Sequence, residues 1–200
     1  IIGYQHTVVP QASIGMFINK LDNIFKPLPN LLLTNGHITK KIISQYSQYE
    51  ETKLENSCAL RFVDNYSYQY KKQKIYSILV VLEGIPEVIK LIKFISKYSF
   101  KNNYKIILRT HPVLAWKKIK KLYKFVEKSN NIFVSENEKL INDLKKAHLC
   151  IYWGSAVCLD ALKCGIPLVH FNEGKYLSYD PLFELKYFKW TIQNENDLTN

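Results

Sequence analysis

The sequence predicts an α/β protein built on a doubly wound parallel sheet, together with part of a second α/β domain. Short apolar runs recur along the chain, as in residues 75–82 and 149–153, and they do not alternate with polar residues. Such runs are typical of strands that are covered on both faces. Segments with apolar residues at helical spacing lie between the runs, and the connections are short. Strand and helix therefore alternate as in a parallel α/β sheet.

The segment around which this sheet is organised runs from residue 149 to residue 171. A buried strand is predicted over 149–153, a helix over 156–163 with Ser155 as its N-cap, and a second buried strand over 166–171. Gly165 stands where a left-handed helix cap is expected. The small Gly-Ser-Ala turn before the helix presents free N–H groups and the positive end of the helix dipole, which favours phosphate.

The same domain is predicted to extend over residues 75–200 as a Rossmann-like sheet. Its first strand, residues 75–82, is the most strongly apolar of the chain, and a polar linker is expected before it at 63–74. The other predicted elements are strands at 104–108 and 131–134 and helices at 86–99, 116–128 and 138–147.

Residues 1–62 are predicted to be the tail of another α/β domain. They begin with a strand and a polar loop (1–16), followed by a strand at 31–34, a helix at 37–46 and a strand at 57–62. The chain starts Ile-Ile-Gly and its only methionine is Met16. We therefore expect it to be part of a longer protein.

The charge of the chain suggests an anionic partner. The formal net charge is +11, mostly from lysine. The lysine-rich helix 116–128 is either an ordinary solvated face or a surface for anionic lipid headgroups or a charged polysaccharide. Arginine is scarce and no nucleic-acid motif occurs, so we expect no nucleic-acid partner.

The cysteines and the apolar runs bear on the cellular setting. The four cysteines show no CxxC pairing, which makes a zinc site or a disulfide framework an unfavourable interpretation and favours a reduced, cytoplasmic location. No run of about 18 apolar residues is present.

Ligands of parallel sheets bind outside the carboxyl ends of the strands. In chain order, the predicted strand ends deliver Glu83 and Gly84; Arg109, Thr110 and His111; Ser135 and Glu136; Gly154, Ser155 and Ala156; and Asn172, Glu173 and Gly174.

Three of these groups point to a diphosphate. Arg109, His111 and the helix start at 154–156 bring together a cation, an imidazole and several amides. Asp160, one helical turn after Ser155, can accept from a ribose hydroxyl. Each feature also has an ordinary structural interpretation, and so has His6, which either projects from a strand end towards a ligand or is a hydrogen-bonded structural histidine.

The motifs R-T-H-P (109–112), S-E-N (135–137) and W-G-S-A-V-C-L-D-A-L-K-C-G-I-P (153–167) together resemble the nucleotide-binding half of GT-B-fold glycosyltransferases. The His-Pro pair and the serine at the helix start are similar to the bacterial surface-polysaccharide branch, with its sialyltransferases, capsular Kdo transferases and polyol-phosphate polymerases. The resemblance covers residues 75–172. It also fits residues 1–62 as the end of an acceptor-side domain, whose G-Y-Q-H (3–6) would face the cleft.

The resemblance implies a role for individual residues. His111 and Ser155 would hold the phosphates of a nucleotide-sugar donor, Asp160 its ribose, and Ser135 and Glu136 its base. The catalytic candidates are His6, from the acceptor side, and His111. The residues expected at the donor phosphates are Glu83, Gly84, Arg109, His111, Gly154, Ser155 and Ala156.

The predicted function is therefore transfer of a sugar from a nucleotide-sugar to a glycan or lipid-linked acceptor in surface polysaccharide or lipopolysaccharide synthesis. Protein groups would stabilise the leaving phosphate without a metal or another cofactor. Two alternatives stay open: a non-hydrolysing sugar-nucleotide epimerase, and a nucleotide- or partner-binding module without catalysis.

Overall fold

The computed structural model describes residues 1–25, 27–60, 76–98, 104–120, 126, 129–174, 177–194 and 197. The chain divides into two compact units. Unit 1 comprises Ile1–Asn65 and Leu177–Pro181, and unit 2 comprises Tyr66–Tyr176 and Leu182–Asn200. The predicted linker at 63–74 lies outside the described residues.

Unit 1 contains a three-stranded parallel sheet in the order β1-β2-β3. Its small core is formed by Leu32, Ile43 and Leu54, which are all buried. The strands are β1 (Ile2–Tyr4), β2 (Leu31–Thr34) and β3 (Leu54–Asn56), and the helices are α1 (Lys20–Phe25) and α2 (His37–Tyr46).

The strand predicted at 57–62 is wrong over residues 57–60, and residues 61 and 62 lie outside the described part of the chain. The third strand of unit 1 is instead β3, which ends at Asn56. Leu54 anchors it because this side chain is fully buried against Ile43. The Ser57 N–H still donates to the Thr34 carbonyl (2.8 Å). The next residue, Cys58, is exposed, and its carbonyl accepts a hydrogen bond from the Tyr4 hydroxyl. Leu54 is thus the residue of this segment that packs in the core of unit 1.

Unit 2 is a six-stranded parallel sheet in the order β6-β5-β4-β7-β8-β9. This order confirms the predicted doubly wound, Rossmann-like arrangement. The strands are β4 (Ser77–Val81), β5 (Lys105–Arg109), β6 (Ile132–Val134), β7 (Leu149–Tyr152), β8 (Leu168–Phe171) and β9 (Lys189–Ile192).

Within the described residues of unit 2, the α-helices with defined bounds are α3 (Ile89–Tyr98), α4 (Trp116–Ile119), α5 (Leu140–Leu144) and α6 (Val157–Lys163). The predicted helix at 138–147 is thus shorter than expected. Of the predicted lysine-rich helix, the structure describes only residues 116–120 and 126, with Lys117, Lys118 and Lys120 exposed. Contact of this segment with a membrane stays a prediction. None of the helices in the described part of the chain is long and apolar enough to cross a bilayer.

Two hydrophobic clusters cover the faces of the unit 2 sheet. One contains Val80, Leu108 and Phe171, and the other contains Leu79, Cys150 and Leu168. Successive residues of a strand point to opposite faces, so these clusters explain why the apolar runs do not alternate. Burial raises the pKa of the Cys150 thiol to about 12, so this cysteine is a hydrophobic core residue.

The end of α6 confirms the expected glycine cap. Gly165 has φ +70°, a conformation that side chains with a Cβ rarely adopt. Its N–H donates to the Leu162 carbonyl (2.9 Å), and the Ile166 N–H donates to the Ala161 carbonyl (3.0 Å). This reversal lets the chain enter β8 immediately, which fixes the β7–α6–β8 unit.

Candidate functional site

The sheet order of unit 2 changes direction between β4 and β7. The chain runs from β4 to β5 and β6 on one side, then returns to β7 on the other side of β4. Ligands of open α/β sheets bind outside the carboxyl ends of the strands at such a switch point. The residues that follow β4, β5 and β7 are therefore the candidate site.

Glu83 follows β4 and reaches across to the residue that follows β7. Its Oε1 accepts a hydrogen bond from the Gly154 N–H at 2.7 Å. Its Oε2 is buried and has no hydrogen-bond partner among the described residues. Burial raises the pKa of Glu83, and the amides of Gly154, Glu83 itself, Ser155 and Trp153 oppose this by lowering it. The hydrogen bond from Gly154 thus holds the carboxyl group in place, while burial disfavours its ionised form.

This contact changes the expected chemistry of the helix start. The Gly154 amide, predicted to bind phosphate, already donates to a carboxylate. Ser155 is buried and its Oγ accepts from the Val157 N–H at 3.4 Å. A phosphate at this turn would therefore approach through Ser155 and Ala156 and would have Glu83 as a neighbour. The roles of Glu83, Gly154, Ser155 and Ala156 stay predictions.

The raised pKa of Glu83 predicts a pH-dependent stability. Below its ordinary value of 4.5, the carboxyl is neutral in both folded and unfolded chains, and its stabilising contribution is complete. The contribution is lost as the pH rises through the higher pKa of the folded state. We therefore expect the Glu83→Gln variant to gain stability relative to wild type as the pH rises. Urea unfolding at a series of pH values measures this difference.

The control for this experiment is Glu87→Gln. Glu87 is an exposed acid in the 3-10 turn Pro86–Val88, where its carboxylate keeps its water shell. The free energy of unfolding of Glu87→Gln relative to wild type should not show the same rise with pH. The free energy of unfolding of Glu83→Gln relative to wild type is the quantity that decides. If it stays constant or falls as the pH rises, the result contradicts the burial of an ionised carboxylate.

His111 follows β5 and presents one side of its ring to β4. Its Nδ1 accepts a hydrogen bond from the Val113 N–H at 3.2 Å. Nδ1 is therefore unprotonated, and the neutral ring carries its proton on Nε2. A Cβ placed on Gly84 would lie 2.9 Å from Nδ1, so only glycine allows this approach. His111 is exposed and can offer its Nε2–H to a ligand.

Arg109 is engaged within the protein. Its Nη1 donates to Asp143 Oδ2 and to the Asn137 carbonyl, and its Nη2 donates to the Glu138 carbonyl at 3.1 Å. The Asp143 carboxylate also accepts from the Ser135 hydroxyl at 2.7 Å and from the Asn137 side-chain amide. Asp143 is fully buried. The predicted roles of Arg109 at a phosphate and of Ser135 at a base stay predictions, and the structure shows both side chains in this network.

Asp143 and Asn137 were not among the predicted site residues. A signal for Asp143 was present, because it lies three residues after Leu140 and one before Leu144. Both leucines pack in the core, so Asp143 is a charged residue on an inward-facing stretch of α5. Residues of that kind are almost always paired when buried.

The remaining predicted residues are more scattered. Glu136 is exposed in the loop after β6. Asp160 lies in the first turn of α6. His6 follows β1 in unit 1 and is exposed, next to the buried Gln5. Their roles at a base, a ribose and an acceptor stay predictions.

An apolar cavity of about 320 Å³ lies at the amino ends of β8 and β9, away from the candidate site. It contains none of the predicted site residues. Its lining is Leu162, Gly165, Ile166, Pro167, Phe188 and Trp190.

No family model and no curated protein sequence matches the chain. Solved structures match it in fold. TarM has a TM-score of 0.56 at 16% identity, over 85% of this chain and 34% of TarM. A glycosyltransferase from Rickettsia africae has a TM-score of 0.57 at 11% identity, over 98% of this chain and 57% of that one. A Methanocaldococcus jannaschii UDP-GlcNAc 2-epimerase has a TM-score of 0.57 at 16% identity, over 84% of this chain and 52% of the epimerase.

The chain thus spans between about a third and somewhat over half of the length of these structures. At such low identities the likeness concerns the fold. The chain has the Rossmann-like α/β fold of GT-B glycosyltransferases.

Proposed function

We propose that the chain is the donor-binding part of a glycosyltransferase that transfers a sugar from a nucleotide-sugar to a glycan or lipid-linked acceptor. The observation that carries the proposal is the switch point between β4 and β7 in a sheet of this fold. There, His111 lies against Gly84, which follows β4, and can offer its Nε2–H to a ligand. Two matched structures support the choice of ligand: the epimerase was solved with UDP-GlcNAc and UDP, and a TarM variant from S. aureus was solved with UDP and α-GlcNAc-glycerol.

The proposed chemistry is stabilisation of a departing nucleotide. As the bond between sugar and phosphate breaks, negative charge develops on the leaving phosphate oxygens. The Nε2–H of His111 and the Ser155 and Ala156 amides would donate to those oxygens. Arg109 would act mainly by its positive charge, because Asp143 and two carbonyls occupy most of its donors. In this proposal, hydrogen-bond donors and a positive charge of the protein itself stabilise the leaving phosphate.

The proposed setting is the synthesis of a surface polysaccharide or lipopolysaccharide in the cytoplasm. It rests on the resemblance of the His-Pro pair and the helix start to that branch. Residues 116–120 add three exposed lysines, Lys117, Lys118 and Lys120, which suit an anionic surface such as a membrane.

An epimerase is the second candidate, because an epimerase matches with the same TM-score as a transferase. The two reactions are separated by their products. A transferase releases the free nucleotide when an acceptor is present, and an epimerase interconverts two nucleotide-sugars without an acceptor. Chromatography of the nucleotide products therefore distinguishes them.

Binding of a nucleotide is the direct test of the donor site. We expect one of UDP, GDP, CDP or CMP, or its sugar conjugate, to raise the melting temperature of the wild-type chain by linkage. His111→Ala should weaken the affinity measured by calorimetry about tenfold or more, because a hydrogen bond to a charged phosphate is lost. Ser155→Ala tests the helix start in the same way.

The matched control is His37→Ala. His37 is an exposed histidine at the start of α2 in unit 1, and its removal should leave the affinity unchanged. If no nucleotide binds the wild type at millimolar concentration, or if His111→Ala binds as well as wild type, the proposed donor site is wrong.

A further inference from the structure

The two carboxylate oxygens of Glu83 have different surroundings. Oε1 is fixed by the Gly154 N–H at 2.7 Å. Oε2 is buried and receives no hydrogen bond from the described residues. Buried polar atoms in native proteins nearly always have a partner, so an exception at a ligand-binding position calls for an explanation.

The neighbouring cations do not supply that partner. Lys90, on α3, pairs with Glu173 after β8, with Nζ and Oε2 3.0 Å apart. Arg109 pairs with Asp143. His111 turns its unprotonated Nδ1 towards Gly84. The cations and the imidazole that the structure gives at this edge are thus oriented towards other groups.

The chemistry of Oε2 selects the kind of ligand atom that it can contact. A carboxylate oxygen accepts hydrogen bonds, and it repels a phosphate oxygen unless a cation or a proton lies between them. A hydroxyl group is the neutral donor that suits it. Ribose and hexose rings carry several hydroxyls, whereas a diphosphate at neutral pH carries mainly acceptor oxygens.

We propose that Glu83 recognises a hydroxyl group of the donor, which donates a hydrogen bond to Oε2 while Gly154 holds Oε1. The inference rests on the proposed function and refines it: phosphate is bound on the His111 side of the site, and Glu83 contacts a ring hydroxyl. This assignment differs from the phosphate-binding role that the strand-end position predicts for Glu83. The hydroxyl belongs to the ribose or to the transferred sugar.

The experiment uses the 200-residue chain and calorimetry. The probes are the diphosphate that binds in the screen (UDP, GDP or CDP), its 2′-deoxy and 3′-deoxy forms, and its sugar conjugate. Each is titrated into wild type, Glu83→Gln and the control Glu87→Gln. Glutamine keeps an oxygen for the Gly154 N–H but replaces the second acceptor by a donor. The comparison of probes on wild type needs no substitution, and thermal melting reports whether Glu83→Gln is folded.

If the hydroxyl lies on the ribose, one deoxy form binds wild type about 10- to 100-fold more weakly, as expected for a hydrogen bond to a charged group. In Glu83→Gln, the affinities of the diphosphate and its deoxy form then differ only a few-fold. In Glu87→Gln, they differ as much as in wild type. If the hydroxyl lies on the sugar, the deoxy forms bind normally. The sugar conjugate then binds wild type more tightly than the diphosphate does, and Glu83→Gln loses that advantage.

Two results would overturn the inference and are distinguishable. In the first result, the diphosphate, its deoxy forms and its sugar conjugate bind wild type equally well, and Glu83→Gln binds the diphosphate more tightly than wild type does. Glu83 then weakens phosphate binding by its negative charge instead of recognising a hydroxyl. In that case the proposed function stands. If no diphosphate or conjugate binds wild type, the proposed function itself fails, and the role of Glu83 fails with it.

Discussion

Replacing Asp143 by alanine is expected to lower the free energy of unfolding by about 3–5 kcal/mol. The Asp143 carboxylate is fully buried and accepts from three side chains, those of Arg109, Ser135 and Asn137. Its removal leaves Arg109, whose side chain is only 20% exposed, without its counter-ion. Urea unfolding followed by circular dichroism measures the loss.

The matched control is Glu138→Ala. Glu138 is exposed and contributes only its backbone carbonyl to the Arg109 contact, so its substitution should change stability by no more than about 0.5 kcal/mol. A double-mutant cycle of Asp143→Ala with Arg109→Ala should give a coupling of about 1 kcal/mol or more. A cost for Asp143→Ala similar to that of Glu138→Ala would mean that the network contributes little to folding.

Replacing Gly84 by alanine is expected to reduce nucleotide affinity about tenfold or more, close to the effect of His111→Ala. The new Cβ would lie 2.9 Å from His111 Nδ1, so the imidazole must move. The hydrogen bond from the Val113 N–H is then strained or lost, and the Nε2–H no longer has its fixed direction. Calorimetry measures the affinity, and ¹⁵N NMR of the ring measures the tautomer independently of any ligand.

Gly15→Ala is the control for this substitution. Apart from Gly15 and its two chain neighbours, no atom of the described residues lies within 4 Å of a Cβ built on Gly15. Neither the affinity nor the His111 spectrum should therefore change. If Gly84→Ala binds nucleotide normally while its ring spectrum is altered, the orientation of His111 is unimportant for binding. An unaltered spectrum would show that the loop accommodates the methyl group.

The unit 2 sheet could be predicted because its signals are local. The apolar strands β4 and β7 are buried on both faces, and Gly165 has the positive φ that its position after α6 suggested. Each of these features depends on residues close together in the sequence. The regular alternation of strand and helix then predicted a doubly wound parallel sheet, and the structure supplied the order of its strands.

The elements that were missed depend on distant contacts. The strand β3 is defined by the burial of Leu54 against Ile43, and the strand β9 contains the exposed Trp190 and has little apolar pattern. Neither can be recognised without its neighbours in space.

In the candidate site, too, features that depend on nearby residues could be predicted, and contacts between distant residues could not. The placement of His111 and Gly84 at strand ends was predicted, but their close approach to each other was not. The engagement of Gly154 by Glu83, 71 residues earlier in the chain, was not expected. Sequence places chemical groups at the sheet edge, and it does not show which of them pair with one another.

The return of Leu177–Pro181 to unit 1 has a consequence for the order in which the protein folds. The Ala12 N–H donates to the Ser178 carbonyl, and the Ser178 N–H donates to the Gln11 side chain. Both bonds require a segment that leaves the ribosome only after five strands of unit 2 have been synthesised. Unit 1 therefore begins to form first, but it can be completed only after most of unit 2 has been synthesised.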